Sequence, residues 1–210
     1  MKHGFKLIKT LMVAAVIGTM ANLTPVTQAA LTTGPNSQVD RLTKASAADL
    51  ATIAAAMVSG TTVPQREQLA KDIAAWVAVN RPQQAPQGVA AIAQLVPSAA
   101  PTIVAAACAA NNSVASAVVF ATCKVLQTQA APIAAAAARA AISQILAIAQ
   151  EAAKAAPGQS AEIKAQVTAV APQLAAAISA AVDAGVAAAS QAGQGNVQFN
   201  NPTDNSTSRQ

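Results

Sequence analysis

Residues 97–126 read PSAAPTIVAAACAANNSVASAVVFATCKVL. The two halves are versions of one 15-residue pattern: Pro97 aligns with Asn112, Ser98 with Ser113, Ala100 with Ala115, Ile103 with Val118 and Cys108 with Cys123. Outward from this pair the same register covers Glu67 to about Val186. Position one is Glu67, Pro82, Pro97, Asn112, Gln127, Ile142, Pro157 and Pro172. Position seven is Ile73, Gly88, Ile103, Val118, Ile133, Ile148, Ile163 and Ile178, seven of the eight being β-branched aliphatics. Position two is always small or polar, and position four is Ala in six of the eight units. A period this regular is one structural unit copied in tandem, each copy completing its neighbour's core.

The unit Pro97–Asn111 shows what is being copied. Pro97 breaks the preceding helix, Ser98 is placed to cap a new one, and Pro101 falls in the first turn, where no backbone donor is needed. Ile103, Val104 and Ala107 then share one helix face. Each unit therefore reads as a turn followed by one helix of about 10–12 residues, too short to be stable alone. Alanine, the commonest residue of the array, favours the helix and lets helix backbones approach closely. The expected fold is all-α: about eight tandem 15-residue helical repeats, successive helices stacked antiparallel as a small α-solenoid behind an N-terminal helical cap. One junction lacks a breaker. Ile142-Ser143-Gln144 carries no Pro, Gly or Asn, and local propensity there favours one continuous helix from about Ala131 to Ala156.

The flanks differ in composition. Residues 1–29 have a basic start (Lys2, Lys6, Lys9), a short apolar run from Leu11 to Ala21 and small residues around Ala29, the pattern of a secretory signal peptide. Residues 30–66 read as an extended leader and helical cap, with Ser37 and Ser46 as helix-starting residues and Gly60 as a stop. Trp76, just inside the array, reads as the anchor between cap and repeats. Residues 67–190 are the array, and residues 191–210, rich in Gly, Asn, Ser, Thr and Gln, read as a disordered tail.

Composition narrows function more by exclusion than by sign. Three of the thirteen Lys+Arg residues and none of the eight Asp+Glu lie in the signal segment. The remainder is close to neutral, without a basic cluster and nearly without aromatics, so no nucleic-acid partner is expected. The one histidine, His3, lies in the signal segment, and no tyrosine occurs. Ser-His-Asp and Cys-His constellations and His-ligated metal sites are therefore not expected beyond it. No Ser stands three residues before a Lys, no Gly-rich phosphate loop appears, and the acids are scattered. No enzyme activity, cofactor or metal site is expected.

Two features stand out from the repeat. Cys108 and Cys123 occupy position twelve of successive units; export and an even count favour a disulfide. Equivalent positions on antiparallel neighbours lie about 10 Å or more apart, against the ~7 Å Cα limit of a disulfide, unless a sharper crossing or an unwound link at Asn111 to Ser113 brings them together; a disulfide and two buried thiols both stay open. Position thirteen carries Lys124, Arg139 and Lys154 in three successive units, either a solvated face or a cationic ladder for an anionic partner. The expected function is non-catalytic: an exported (secreted or periplasmic) structural or protein-interaction module meeting an unidentified protein or envelope component, with no transmembrane segment after signal cleavage. The alternative is a carrier of small apolar ligands or lipid, which requires a cavity between the alanine-lined helices.

Overall fold

The computed structural model describes residues 37–194; the expected signal peptide, the expected leader up to residue 36 and most of the expected tail lie outside the described residues. The described chain is all-helical. Ten α-helices follow in order: α1 (Gln38–Lys44), α2 (Leu50–Ser59), α3 (Val63–Asn80), α4 (Ala85–Leu95), α5 (Ala100–Ala110), α6 (Ala115–Val125), α7 (Ala130–Ala140), α8 (Ile145–Ala155), α9 (Ser160–Val170) and α10 (Ala175–Gln194). From α4 to α9 every helix is 11 residues long. Each junction from α4 to α10 carries a three-residue 3-10 turn, as in Pro97–Ala99 and Gln127–Gln129. This is a helical-repeat solenoid, with one helix per 15-residue unit.

The stacking has a longer period than the sequence. Each helix packs most extensively on the helix two units away, α3 on α5 on α7 on α9, and α2 on α4 on α6 on α8 on α10. The array therefore has two layers, and the structural repeat is a pair of units. Helices within a layer run parallel. Asn111, which closes α5, donates from Nδ2 to the Ala78 carbonyl near the end of α3 at 2.9 Å, and Thr102 near the start of α5 reaches Glu67 near the start of α3 at 3.3 Å. The chain thus reverses at every turn.

The core follows from this layering. Positions four, seven, eight, eleven and twelve form one helical stripe and face the space between the layers. In α5 these are Ala100, Ile103, Val104, Ala107 and Cys108, all fully buried. Every position-seven isoleucine from Ile73 to Ile178 is fully buried, as is Val118. Gly88 breaks the pattern because a methyl group there would already lie 3.3 Å from Val77 Cγ1; α3 has filled that space.

Most junctions share one backbone geometry whatever the residue, Asn111 being more extended at −150/99°. Position fifteen has φ/ψ of −137/55° at Arg81, −132/67° at Val96, −120/56° at Leu126 and −132/63° at Ala141. At Leu126 and Ala141 its N–H closes the preceding helix and its carbonyl accepts the first bond of the 3-10 turn. The expected continuous helix from Ala131 to Ala156 is therefore corrected: α7 ends at Ala140, Ile142–Gln144 is a 3-10 turn, and α8 starts at Ile145. A helix running through would carry Ile145 and Ile148 out beyond the stack. Breaking buries both, at 3% and 0% exposure, and leaves Ile142 (53%) and Leu146 (39%) outside. Tertiary burial outweighs local propensity here. Ser98 needs a second correction. It lies within a 3-10 turn and makes no capping bond; position two is polar because it is exposed.

The array is finished at both ends. At the front, Arg81 donates from Nη2 to the carbonyls of Thr43 (2.6 Å) and Ala45 (2.9 Å), satisfying the last turn of α1. Asp40 N–H bonds to Ser37 at 3.2 Å, so Ser37 caps α1, and Trp76 packs partly buried against the core. At the back, positions eight and twelve turn polar. In α9 and α10 they are Lys164, Thr168, Ser179 and Asp183, with Lys164 Nζ 3.1 Å from Asp183 Oδ1. α10 then continues four residues past the expected array end at 190, to Gln194. A methyl at Gly185 of α10 would collide with the Gln150 carbonyl oxygen and lie 3.1 Å from Ala153 Cβ of α8.

Two substitutions test this packing by urea denaturation. Ile148→Ala is expected to lower stability by about 2–5 kcal/mol, because the closed stack cannot collapse onto the cavity. Thr122, at position eleven, is fully buried with a hydroxyl that has no partner. Thr122→Val is expected to raise stability by about 1–3 kcal/mol by removing that unpaired group.

Candidate functional site

The face opposite the core stripe holds positions five, six, nine, ten and thirteen. On the even-numbered layer these positions line up across three stacked helices. α4 contributes Pro86, Gln87, Ala90, Ala91 and Gln94; α6 contributes Ser116, Ala117, Phe120, Ala121 and Lys124, with Val125 beside them; α8 contributes Ala147, Gln150, Glu151 and Lys154. Together they wall a surface groove of about 690 Å³. Small residues on the ridges of α4 and α6 open it, and Phe120 gives it a broad apolar surface.

Polar groups sit around that surface. Lys154 Nζ lies 5.2 Å from the centre of the Phe120 ring, within the ~6 Å range of a cation–π contact. The same ammonium is 3.5 Å from Glu151 Oε2. Lys124 is exposed and makes no ion pair among the described residues. The groove thus has two ammonium groups, one carboxylate already engaged, three primary amides (Gln87, Gln94, Gln150) and one hydroxyl, Ser116.

The sequence-derived ladder is divided by the layering. Lys124 on α6 and Lys154 on α8 share the groove; Arg139, on α7, belongs to the other layer and does not line it. The residues missed from sequence are Phe120, Glu151, Gln87 and Gln94; Gln150 shares a polar stripe with Arg139, Ser143 and Lys154 in the sequence. The signal that finds them is a 30-residue spacing, at which position nine reads Ala90, Phe120, Gln150 and position thirteen reads Gln94, Lys124, Lys154.

The two cysteines are unbonded and buried. Cys108 is on α5 and Cys123 on α6, in opposite layers, and each fills a small core position. Burial pushes both thiols up to about 12, which suppresses the reactive thiolate. Among the described residues no cluster of three or more His, Cys, Asp or Glu is placed to hold a metal ion.

One buried carboxylate lies outside the groove. Asp72 on α3 is 1% exposed; its Oδ1 accepts from Gln68 Nε2 at 2.9 Å while Oδ2 has no partner. Burial raises its pKa above the ordinary 3.8, against the smaller opposing effects of the Gln68 bond and the Lys71 charge. A raised folded pKa means that the ionised form disfavours folding.

One helical stretch among the described residues, 172–192, is long and apolar enough by length and composition to cross a membrane. Its apolarity is mostly alanine; it carries Asp183 and packs on α8. Against protein-family models, curated proteins and solved structures, the chain matches none.

Two outcomes follow. Native protein is expected to be inert to a thiol-specific reagent at neutral pH and to release two equivalents on denaturation; rapid native labelling would contradict the buried placement. Asp72→Asn is expected to stabilise the protein at pH 7. That gain should shrink as pH falls through the raised pKa of Asp72 and vanish below 3.8, as read from paired urea titrations of variant and wild type.

Proposed function

We propose that this chain is a non-catalytic binding module, exported by the segment at residues 1–29 and acting outside the cytoplasm, and that it engages a protein partner through the groove on α4, α6 and α8. The observation that carries this reading is the contrast between the two faces of the even-numbered layer. Inward, the packing is closed by alanine: Ala93, Ala149, Ala152 and Ala153 are fully buried, and α10 approaches α8 closely enough to require Gly185. Outward, three units contribute to one amphipathic groove. Solenoids present extended surfaces of this kind because adjacent repeats repeat the same exposed positions.

The carrier alternative needs its volume between the layers, where the alanine stripe closes up. The groove on α4, α6 and α8 lies on the surface, edged by amides and charges that an acyl chain would leave unpaired. These observations favour the binding module over the carrier.

The test is a variant that fills the groove without touching the core. Ala117 is exposed and lines the groove, so Ala117→Trp should melt at the wild-type temperature. In crosslinked pulldowns from an envelope extract, wild type is expected to retain a partner that Ala117→Trp loses. A partner retained equally by both would move the interaction to another face. Co-purifying lipid in the native mass spectrum, with no protein captured, would replace the module by the carrier.

A further inference from the structure

We propose that the groove takes an extended, acidic peptide segment of its partner, with a carboxylate side chain at Lys124 and Lys154 and an apolar side chain against Phe120. The proposal rests on the binding-module reading and names the chemistry of the partner.

Length comes first. Three helices of one layer, at about 8–10 Å per step, give a track of roughly 16–20 Å, the span of five or six residues of extended chain at about 3.3 Å each. The track is continuous because α4 packs on α6 and α6 on α8 in one layer.

The polar groups fit a peptide backbone. An extended segment exposes N–H and C=O groups on both edges. Gln87 and Gln94 on α4 and Gln150 on α8 each offer an amide donor and an amide acceptor towards the two ends of the track. An acyl chain has no use for them.

Charge sets the sign of the side chains. Lys154 already has Glu151 at 3.5 Å, whereas Lys124 has no ionic partner among the described residues. The uncompensated charge in the groove is therefore positive, and it lies beside the Phe120 ring. A segment alternating acidic and apolar residues complements both. A basic segment would meet the two ammonium groups, and a polyanion such as nucleic acid would meet Glu151 with little positive charge to offset it.

Both lysines are at least partly solvated, so each ion pair is modest in strength. Removing one ammonium is expected to weaken binding by about threefold, and reversing both charges by tenfold or more. Charge therefore acts mainly on choice of partner.

The test uses the full chain and three fluorescein-labelled octapeptides in which leucine alternates with glutamate, glutamine or lysine, followed by anisotropy. Wild type is expected to bind the glutamate peptide most tightly and the lysine peptide least. The double variant Lys124→Glu, Lys154→Glu should invert that order while keeping the wild-type helical circular dichroism spectrum, and Ala117→Trp should abolish binding of all three. Equal affinity for the three peptides, or an order unmoved by charge reversal, would overturn the acidic-segment proposal. If those peptides were still lost with Ala117→Trp, the binding module would stand. Failure of every peptide, together with groove-dependent binding of a fatty acid, would overturn both.

Discussion

The structure depends on burying one stripe of an 11-residue helix from both sides. A helix of that length is marginal in water even when rich in alanine, and alanine itself covers little area, so it adds little at about 25 cal/mol per Å². The position-seven isoleucines supply the bulk, and they supply it only when helices two units away and in the opposite layer close around them. No unit has a core of its own. That explains why the junction at Ala141 has the backbone of its proline-led neighbours without any proline. The two-layer stack imposes the break, and residue type at the turn only modulates how readily it forms. Pro97, Pro157 and Pro172 make the break locally cheap; Ala141 and Ile142 accept it under tertiary pressure, at the cost of an exposed isoleucine.

Much of this was legible because the period was written in side-chain volume. The Ile column at position seven, the Ala column at position four and the polar column at position two define unit length, helix length and buried face before any coordinate is known. What was not legible is the layering. A 15-residue repeat that reverses at every turn has a 30-residue structure, yet the two layers draw on the same core residue types, so nothing in the core columns marks odd from even. That is why Lys124, Arg139 and Lys154 looked like one ladder. Propensity also misled at Ile142, where it describes a segment in isolation and the segment is not isolated.

The same layering explains why Cys108 and Cys123 remain thiols. A sequence spacing of one unit places two residues in different layers, across the core, while a spacing of two units places them side by side. Neighbourhood in this fold skips a repeat. Contacts between Asn111 and Ala78, or Gly185 and Gln150, span about two units for that reason.

The ends of the array carry a functional consequence. A solenoid with open ends offers its stripe to the next copy and grows. Here α1 is tied to the array by Arg81, and the last units replace aliphatic and alanine positions with Lys164, Thr168, Ser179 and Asp183, two of which pair with each other. Growth by end-to-end stacking would bury that pair at a desolvation cost that it cannot recover. With the ends closed and the interior filled by isoleucine and alanine, the face of the even-numbered layer is a surface among the described residues with both shape and chemistry. Its outward positions lie off the core stripe, and they vary from unit to unit. Ala90, Phe120 and Gln150 share a position yet differ in size and polarity. The core columns repeat because packing demands it; the groove column does not repeat, and such departures from the period are where a repeat protein encodes recognition.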